Sequence, residues 1–517
     1  MSDLTRRDAL ALGAALGGAA ALGGVVLGAG SALAADTCSR ARDTLPRLPV
    51  IRSRNGLLRA TLVATQAPAD LMGRPTEGLW TYNGHFPGPC LVVSPGDRLD
   101  LTVRNETPVP VNTHYHGCWV NPSGDADNVF VSADPGDALT TRLTFPREHP
   151  SGLFWYHPHV HGYTNDSVWS GLAGPLFVRG GLETLPQYRH AVQRLLVFKG
   201  FALDPEAATP TMLPATSATS ELVQFTANGA LNPTMLMRPG ETQIWRMVNA
   251  SADGFLRISL DDHRMTVLAV DGVPVFNTWS ASEYILVPGA RVEVAVTGSP
   301  VRGSFALRTL GYRNGPFGQW LPQELATIVV DGPRGTPSRA PKTILPRPEW
   351  LMEKPKRYRV FTLSESYSPD TGPLFYINGK VFDHQDMHDP FEVEVDTVEE
   401  WVVRNDPSLA QGGAAEGHPF HIHVNHFAVV GRGRWNPVTG KATSFHKVVP
   451  RALEDTEQVL PGEYVVLRTR FRKFTGKTVF HCHILFHEDL GMMGAFRIVK
   501  GTPDDAGDGG GDHHDHH

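Results

Sequence analysis

Residues 375–379 read Phe-Tyr-Ile-Asn-Gly, and this pattern of an aromatic residue three positions before Asn-Gly occurs three times in the 517-residue chain. The other copies begin at Trp80 and Phe225, so the copies are separated by 145 and 150 residues. Asn-Gly between apolar runs is a strong signal for a tight turn that joins two strands. An extended run follows each turn and ends in an asparagine: Asn105, Asn249 and Asn405. The spacing predicts three repeated units of similar size.

The extended runs have the two-residue periodicity of half-buried strands. In the first unit apolar and polar residues alternate from Leu99 to Arg104, and in the third unit they alternate from Phe391 to Asp396. A similar row in the middle unit consists of Val292, Val294 and Val296. No long stretch has the 3.6-residue periodicity of an amphipathic helix, and 52 Gly and 41 Pro suit a chain of strands and turns. These patterns predict an all-β chain built as three tandem β-sandwiches.

The predicted boundaries fall between the repeats. One lies near residues 180–190, and the other lies in the proline-rich segment 331–356, which has the composition of a surface linker. The predicted parts are an export signal (1–34), a first sandwich (35–185), a middle sandwich (186–335), a third sandwich (345–500) and a Gly/Asp/His tail without fixed structure (501–517). Whether the histidines of the tail bind metal stays open at this point.

The N-terminus has the features of an export signal. Thr5-Arg6-Arg7-Asp8-Ala9-Leu10 precedes a long Ala/Gly/Leu/Val stretch that ends in the cleavage pattern Ala32-Leu33-Ala34. The stretch is long enough for a membrane anchor, but its Gly and Ala content and the cleavage site favour removal. The paired arginines indicate twin-arginine export, although Ala9 replaces the usual bulky residue. We therefore expect a mature chain that begins near Ala35, lies in the periplasm or outside the cell, and has no stable membrane anchor.

Net charge and cysteine content limit the partners of the chain. The formal net charge of −6 and the charged fraction of 19% give no basis for binding nucleic acid. Of the four cysteines, Cys482 belongs to a metal-binding pattern described below. An oxidising compartment permits one disulfide among Cys38, Cys90 and Cys118, but the sequence does not assign the pair.

Four short clusters of histidine contain the candidate metal ligands. They read His-Tyr-His at 114–116, His-Pro-His at 157–159, His-Pro-Phe-His-Ile-His at 418–423 and His-Cys-His-Ile-Leu-Phe-His-Glu-Asp-Leu-Gly-Met at 481–492. In a His-x-His pair on a strand, both imidazoles project from the same face. Four such pairs can enclose a compact cluster of three metal ions, and we expect it where the first and third units meet. The middle unit, with only His263 in its core region, would then serve for spacing and packing.

Cys482 lies between two of these histidines, so strand alternation turns its side chain to the opposite face. There it can join His418, His487 and Met492. Two imidazoles, a thiolate and a weak axial thioether describe a blue-copper electron-transfer site. Zinc is the main alternative, but structural zinc sites use four ligands and catalytic zinc sites use three with a water molecule. The whole set of histidines, with one cysteine and one methionine, favours several copper ions.

With these motifs the chain resembles the multicopper oxidases of the three-domain, laccase-like bacterial kind. The four motifs match that family in order and spacing, and the resemblance extends over about residues 50–500. It implies three tandem cupredoxin-like Greek-key β-sandwich domains, with copper ligands in the first and third. It also implies four copper ions: one type 1, one type 2 and two type 3.

The family pattern assigns each ligand to a copper ion. The type 1 copper would be bound by His418, Cys482, His487 and Met492. The type 2 copper would be bound by His114 and His421. The two type 3 coppers would be bound by six histidines: His116, His157, His159, His423, His481 and His483.

Two acidic residues resemble the family's carboxylates that feed protons towards the cluster. They are Asp125, eleven residues after His114, and Glu488, directly after His487. Reduction of dioxygen to water consumes protons, so a buried carboxyl near the cluster has a catalytic use. Together with Cys482, these two residues are expected to be catalytic. The alternative for Asp125 is a turn residue, and the alternative for Glu488 is a hydrogen bond that orients a ligand.

The remaining histidines are not expected to bind metal. His161 and His426 lie close to the motifs but outside their pattern, so orienting or surface roles are expected. The others are expected to be ordinary polar residues: His85, His149, His190, His263, His384, His388 and His446.

The resemblance implies an oxidase that takes electrons singly at the type 1 copper and reduces dioxygen to water at the cluster. The electron donor need only approach the edge of His418 or His487, which suits phenols and aromatic amines. Met492 as axial ligand implies a type 1 copper of lower potential. Easily oxidised phenols are therefore expected to react faster than recalcitrant non-phenolic aromatics.

Three other functions share some of these motifs. A cuprous-ion or metal oxidase of copper tolerance resembles this chain but carries a methionine-rich insertion in the third domain. That region of this chain has only Met352, Met387, Met492 and Met493. A non-catalytic copper or electron carrier needs only the type 1 site, and a two-domain nitrite reductase lacks the His-Cys-His pair. One chain with three units can complete its own cluster, so a monomer is expected.

Overall fold

The computed structural model of the chain describes residues 43–316, 318–368, 370, 372–383, 390–410 and 415–501. The expected export signal, Cys38, His384, His388 and the tail beyond Gly501 lie outside the described residues. The expectations about export, cleavage and the tail therefore stay predictions.

The first unit consists of two sheets that pack as a sandwich. Its strands are β1 (Val50–Arg52), β2 (Leu57–Gln66), β3 (Ala69–Leu71), β4 (Arg74–Thr76), β5 (Trp80–Tyr82), β6 (Cys90–Val93), β7 (Arg98–Glu106), β8 (His114–His116), β9 (Ala138–Thr144), β10 (Gly152–His157) and β11 (Gly174–Val178). One sheet has the order β1-β6-β11-β10-β8, the other has the order β5-β2-β7-β9, and β3 pairs with β4. A short helix α1 (Thr164–Ser170) precedes β11.

The middle unit repeats this two-sheet arrangement. Its strands are β12 (Val192–Phe201), β13 (Gln224–Ala227), β14 (Thr234–Met237), β15 (Thr242–Asn249), β16 (Leu256–Leu260), β17 (Met265–Val270), β18 (Val273–Ala281), β19 (Glu283–Leu286), β20 (Arg291–Thr297), β21 (Gly303–Thr309), β22 (Tyr312–Asn314), β23 (Gly318–Trp320) and β24 (Gln323–Val330). The sheet orders are β13-β12-β15-β20-β17-β18 and β14-β24-β21-β16-β19, and β22 and β23 form a separate hairpin.

The third unit again has two sheets. Its strands are β25 (Arg357–Ser368), β26 (Gly372–Ile377), β27 (Phe391–Glu394), β28 (Val398–Asp406), β29 (His418–Ile422), β30 (Phe427–Trp435), β31 (Ala442–Lys447), β32 (Thr456–Val459), β33 (Glu463–Arg470), β34 (Gly476–Cys482) and β35 (Met493–Val499). The sheet orders are β26-β25-β28-β33-β30-β31 and β27-β35-β34-β29-β32. Helix α2 (Leu485–Asp489) follows β34, and 3-10 turns span Leu182–Thr184, Glu349–Met352 and Pro407–Leu409.

The repeated Asn-Gly turn has the same geometry in all three units. Asn83, Asn228 and Asn378 have φ values of 55°, 55° and 54°, and the glycine after each also has a positive φ. Positive φ at both positions is the requirement of a type I′ hairpin turn, which explains why Asn-Gly is used. The side-chain oxygen of each asparagine also accepts a backbone N–H from the long strand earlier in the unit (β2, β12 or β25), at 2.7–2.8 Å. The predicted all-β fold of three β-sandwiches is confirmed.

In each unit the long strand before the Asn-Gly turn pairs in parallel with the strand whose last or second-last residue is the repeated asparagine. These pairs are β2 with β7, β12 with β15 and β25 with β28. The strand-ending asparagines are buried, and each side-chain amide donates to two backbone carbonyls: Asn105, Asn249 and Asn405. In the third unit one of these carbonyls belongs to Glu416, at 2.6 Å, two residues before the first histidine of its cluster. The repeat thus fixes the chain where the candidate ligands begin.

The apolar core joins the units rather than stopping at their boundaries. Trp245 of the middle unit and Trp401 of the third unit are fully buried members of one apolar cluster. That cluster also contains Val168 and Trp169 of helix α1 in the first unit. Continuous burial of this kind disfavours independent motion of the units. The surfaces that carry the histidine clusters are therefore held together by packing.

Candidate metal centre

The four His-x-His pairs lie on two pairs of neighbouring strands. In the first unit β8 and β10 are antiparallel, and His114 is opposite His157. In the third unit β29 and β34 are antiparallel, and His421 is opposite His481. Each strand pair therefore presents its histidines side by side, and the two strand pairs face each other across the contact between the units.

The eight imidazoles come together in three buried groups whose ligand nitrogens lie within 4.8 Å of one another. The groups are His114, His116 and His421; His116, His157 and His483; and His159, His423 and His481. Each group combines histidines from the first and third units. Neither unit alone can form any of them.

Rings from the two units stack directly on each other. The His114 and His423 ring centroids are 3.8 Å apart, and those of His116 and His421 are 3.9 Å apart. The Nε2 atom of His481 lies 3.1 Å from Nε2 of His159 and also 3.1 Å from Nε2 of His423. Nitrogens that converge at such distances can share a metal ion.

Hydrogen bonds at the outer nitrogen fix the orientation of several rings. Nδ1 of His157 bonds the carbonyl of Pro158 at 2.8 Å, and Nδ1 of His421 bonds the carbonyl of Asp455 at 2.8 Å. A proton on Nδ1 leaves Nε2 as a lone-pair donor. Among the described residues, the buried Nε2 atoms of His114, His157 and His421 have no hydrogen-bond partner. Unpaired buried nitrogens are the expected signature of metal ligands.

Burial also keeps these imidazoles in the neutral state that binds metals. It lowers the pKa of His159 to about 3. Burial and the neighbouring imidazoles lower the pKa of six others well below the usual value: His114, His116, His157, His423, His481 and His483. A neutral imidazole needs no deprotonation before it binds a metal ion.

A separate group lies on the other side of β34. The Cys482 sulfur is 3.7 Å from Nδ1 of His418 and 3.7 Å from Nδ1 of His487, and the two Nδ1 atoms are 3.3 Å apart. All three side chains are buried. Burial raises the pKa of the Cys482 thiol well above its usual value, and the backbone N–H of Ile484, 3.5 Å from the sulfur, partly offsets this by favouring the thiolate.

Met492 is tied to this group through its backbone. Its carbonyl accepts the N–H of Cys482 at 3.0 Å, and its N–H donates to the carbonyl of His487 at 2.8 Å. The Met492 side chain is fully buried in the same apolar cluster as Cys482. The Met492 backbone therefore lies next to Cys482 and His487, and a thioether ligand at this position stays a prediction.

The His-Cys-His triplet sends its three side chains to three different groups. Cys482 faces His418 and His487, whereas His481 faces His159 and His423. His483 joins the group of His116 and His157. This arrangement follows from the two-residue alternation of strand β34. Because the donor set is rich in imidazole and includes a buried thiolate and thioether, it fits copper better than zinc.

Glu488 is a fully buried carboxyl between the two units. Oε1 accepts a hydrogen bond from Thr164 Oγ1 at 3.1 Å and lies 3.5 Å from His159 Nδ1. Oε2 lies 3.2 Å from His481 Nδ1. Burial raises the pKa of Glu488 well above its usual value, and the neighbouring Asp489 raises it further. The residue can hold a proton beside two histidines of the cluster, as the sequence predicted.

The prediction for Asp125 is wrong. Its side chain is 58% exposed and pairs with Arg142 at 2.7 Å, so the turn interpretation fits it. The buried carboxylate is Asp127, two residues later, which accepts His114 Nδ1 at 3.1 Å and the N–H of Tyr115 at 3.1 Å. Burial raises the pKa of Asp127 to about 7. The prediction rested on a spacing of eleven residues from His114, and in the irregular chain after β8 this spacing misses the buried carboxylate by two residues.

Replacement of Asp127 by Asn should lower copper occupancy of the cluster or oxidase activity by roughly 10- to 100-fold, because a neutral amide oxygen is a weaker acceptor than a carboxylate for the His114 Nδ1–H and fixes its tautomer less firmly. Asp125→Asn is the matched control, since an exposed ion pair contributes about 0–1 kcal/mol to stability and the Asp125 side chain pairs with Arg142 rather than with a cluster histidine. Copper per chain and oxygen uptake would be measured for both. Equal effects of the two substitutions would contradict the assignment.

The middle unit supplies residues that the sequence did not indicate. Arg291, at the start of β20, pairs with Asp455 of the third unit at 2.6 Å. Asp455 in turn lies 3.1 Å from His116 Nε2 and 3.5 Å from His421 Nδ1. The middle unit therefore does more than the predicted spacing and packing. It provides the buried positive charge of Arg291, which pairs with Asp455, and Asp455 contacts two histidines of the cluster.

Two further carboxyls that the sequence did not indicate lie beside His487. Glu416 Oε2 is 3.2 Å from His487 Nε2, and Glu365 Oε1 accepts the N–H of Glu416 at 2.6 Å. Burial raises the pKa of Glu416 to about 8 and that of Glu365 to about 7. His418 has no exposed surface and His487 is 3% exposed, so of the two predicted contact edges that of His487 is the one that reaches the surface. Glu416 and Glu365, 7% and 9% exposed, lie beside that edge.

The other histidines contact neighbours rather than the cluster. His426 Nε2 donates to the carbonyl of Asp271 at 3.0 Å and lies 3.5 Å from Asp455, which supports an orienting role. The His161 ring packs against Phe382 at 5.2 Å. His149 accepts the N–H of Trp119 at 3.0 Å. Among the described cysteines, all are buried free thiols: Cys90, Cys118 and Cys482.

Three domain models of the family described as multicopper oxidase match the chain, over residues 64–182, 205–333 and 352–502. Together they cover the three sandwiches. Curated relatives include a multicopper oxidase of Staphylococcus aureus, 25% identical over 87% of this chain and 90% of the relative. A laccase of Bacillus subtilis is also 25% identical, over 81% of this chain and 90% of the relative.

Solved structures give the same similarity. A multicopper oxidase from Campylobacter jejuni, described as a metallo-oxidase, superposes with a TM-score of 0.73 and 27% identity, over 88% of this chain and 94% of that chain. A laccase from Pediococcus acidilactici superposes with a TM-score of 0.72 over 88% of this chain and 94% of that chain, and its 22% identity supports the fold alone. Within the described ranges, no helix has the length and apolar character needed to span a bilayer.

Proposed function

The chain belongs to the multicopper oxidase family, and on this basis we propose that it oxidises a small reducing donor one electron at a time at the Cys482 centre and reduces dioxygen to water at the eight-histidine cluster. Phenols and aromatic amines are the proposed donors. The resemblance to curated laccases supports this class, since two relatives with that description match over most of the chain.

One observation carries the proposal: two centres with different chemistry share three consecutive residues. The thiolate of Cys482 joins His418 and His487, while its two neighbours in the chain join the cluster. A short covalent path through the backbone therefore links a centre suited to single-electron transfer with one that has enough ligands for several metal ions. A simple copper carrier would have no use for the second centre.

We propose the copper assignments on the same grounds. The type 1 ligands are His418, Cys482, His487 and Met492, and the type 2 ligands are His114 and His421. The type 3 ligands are His116, His157, His159, His423, His481 and His483. Copper ions at these positions would supply the redox chemistry that protein side chains lack.

The remaining tasks fall to the side chains of the chain itself. Glu488 holds a proton within 3.5 Å of His159 and His481, so it can deliver protons where dioxygen is reduced. Asp127 and Asp455 hold the tautomers and orientations of His114 and His421 through hydrogen bonds at 3.1 and 2.8 Å. The dense burial of the cluster excludes bulk water and large donors from it.

A metal ion is the second candidate donor, and Glu365 and Glu416 favour it. A ligand oxygen from each of these carboxyls and a nitrogen of His487 lie within 4.8 Å of one another. Oxygen ligands suit hard cations, whereas the soft methionine ligands of cuprous-ion oxidases are few in this unit. The relative from Campylobacter jejuni that is described as a metallo-oxidase supports this candidate as well.

A donor panel tests the proposal and separates the two candidates. Copper-loaded protein should bind several copper ions per chain and consume oxygen with an easily oxidised phenol faster than with a non-phenolic aromatic. Glu416→Gln should leave the phenol rate within about 3-fold of wild type, because outer-sphere transfer needs no charged ligand. If ferrous or cuprous ions are the true donors, the same substitution should raise their KM by about 10-fold or more, since the carboxylate formed when a cation displaces the Glu416 proton contributes about 1.5–3 kcal/mol and an amide does not.

Measurable oxygen uptake would also exclude the non-catalytic alternative. Copper loading without oxygen consumption on any phenol or metal ion would make the chain a carrier and overturn the proposal. Equal rates on phenolic and non-phenolic donors would overturn the donor class while leaving the oxidase class intact.

A further inference from the structure

The guanidinium of Arg291 is the point at which all three units meet. Nε donates to the carbonyl of Leu153 in the first unit at 3.3 Å. In the middle unit the carbonyls of Gly289 and Asp271 accept Nη1 and Nη2 at 3.2 and 2.9 Å. In the third unit the two carboxylate oxygens of Asp455 accept Nη1 and Nη2 at 2.9 and 2.6 Å. All five N–H donors of this fully buried side chain are therefore used.

The Asp455 carboxylate, held in place by Arg291, contacts histidines of the cluster. Its Oδ1 atom accepts His116 Nε2 at 3.1 Å and Thr456 Oγ1 at 2.9 Å, and it lies 3.5 Å from His421 Nδ1. The backbone carbonyl of Asp455 accepts His421 Nδ1 at 2.8 Å. One residue therefore orients two stacked rings that come from different units.

The backbone around the pair is shaped to admit it. Gly117, directly after His116, has a φ of +78°, and a Cβ atom there would collide with Arg291 Nη2 and Asp455 Oδ2. Gly289, whose carbonyl accepts Arg291, lies so close to the His483 ring that a Cβ atom would be 2.8 Å from it. The ion pair and the cluster rings are thus packed against the same stretches of backbone.

We infer that Arg291 and Asp455 are positioning residues through which the ligand-free middle unit completes the histidine cluster. This inference rests on the proposed function, because it concerns the copper ions of that cluster. Asp455 carries a negative charge that would otherwise be buried without compensation between two units, and the bidentate arginine fixes both its charge and its orientation. Without the middle unit, Asp455, the common acceptor of His116 and His421, would lose the arginine that holds it in place.

Lysine cannot replace this arginine, because an ammonium has three donors and no planar fork. Arg291→Lys should therefore keep the charge but lower copper affinity at the cluster by roughly 10- to 100-fold, as loss of an orienting contact typically does. The Cys482 centre contains no residue of the middle unit, so its visible absorption per chain should be unchanged. The test uses full-length copper-loaded protein, with copper per chain and the type 2 EPR signal measured during dialysis against a chelator.

Arg246→Lys is the matched control. Arg246 is equally buried and lies in the same sheet, where it pairs with Glu293 at 2.8 Å. It should lower thermal stability without selective loss of type 2 copper. If Arg291→Lys does not fold, Thr456→Val removes the hydroxyl that bonds Asp455 and lies 3.3 Å from His421 Nδ1, and Thr226→Val is its control in the middle unit. We expect faster loss of type 2 copper in Thr456→Val alone.

Two results separate the inference from the proposed function. If wild-type protein loads both centres and Arg291→Lys or Thr456→Val retains type 2 copper as wild type does, the inference is overturned and the proposed function stands. The same holds if Arg246→Lys loses type 2 copper equally. If wild-type protein binds no copper at the cluster, the proposed function fails and the inference fails with it.

Discussion

Cys482→Ser should remove the visible absorption of the thiolate-copper centre and reduce donor-driven oxygen uptake by a factor on the order of 10³ or more. The ligands of this centre act together, so loss of one of them removes most of the electron transfer that the centre provides. A hydroxyl is a hard, weakly acidic group and does not replace a thiolate as a ligand of a blue-copper site. His418 and His487 alone would leave the centre without its electron-accepting ligand. The cluster, by contrast, keeps all eight of its histidines.

The size of the change in stability distinguishes a lost ligand from a lost fold. Serine differs from cysteine by one atom, so the unfolding temperature of the copper-free protein should shift by only a few degrees, as a change of about 1 kcal/mol does. Cys90→Ser is the matched control, because Cys90 is also a fully buried free thiol but lies on β6 of the first unit. Colour and oxygen uptake should survive in Cys90→Ser. A blue, active Cys482→Ser protein would refute the assignment of the centre.

The fold and the ligand groups were predictable because both depend on short-range patterns. The Asn-Gly turns at Asn83, Asn228 and Asn378 need only a local backbone conformation with positive φ. The opposite directions of Cys482 and its neighbouring histidines need only the alternation of one strand. Such features are written into adjacent residues, and a single sequence is enough to find them.

The residues that orient the ligands were not predictable, because their contacts are long-range. His116 and Asp455 are 339 residues apart in sequence, and Arg291 and Asp455 are 164 apart. Arg291 and Glu293 alternate with valines at the start of β20, which is the pattern of a strand with one polar, solvent-facing side. The structure buries both faces of that strand between units. The alternation of polar and apolar residues therefore suggested that Arg291 and Glu293 face solvent, whereas both contact residues of another unit.

The error at Asp125 has a related cause. Spacing along the chain locates a residue only while the chain follows a regular element, and the chain after β8 is irregular up to β9. Glu488 was located correctly because it lies in the short helix α2, directly after His487. Glu365 and Glu416 lie in different segments, and only the fold brings them to His487. Spacing along the sequence therefore predicts the position of a site residue well on a regular strand or helix and poorly in an irregular loop.

Glu488→Gln should slow reoxidation of the reduced protein by dioxygen about 10²- to 10⁴-fold, the usual contribution of a positioned proton donor, and leave anaerobic reduction of the Cys482 centre unchanged. Thr164 of α1 holds Glu488 from the first unit, and neighbouring Asp489 accepts the N–H groups of Gly162, Thr164 and Asn165. The carboxyl is thus fixed between His159 and His481. Glutamine keeps the size of the side chain but has no proton to give at its oxygen.

The pH dependence and a second variant distinguish proton delivery from ring orientation. Because burial raises the pKa of Glu488 well above its usual value, its carboxyl keeps a proton to higher pH than an exposed glutamate does, and reoxidation should slow as the pH rises through that raised pKa. Glu488→Gln should lack this alkaline decline because it has no group to titrate there. Glu488→Asp keeps an acidic proton on a shorter side chain and should recover part of the rate. A purely orienting residue would give the opposite order, since the amide matches the length of the native side chain and the aspartate does not. Stopped-flow reoxidation of the wild-type protein and both variants between pH 5 and 9 measures that order directly.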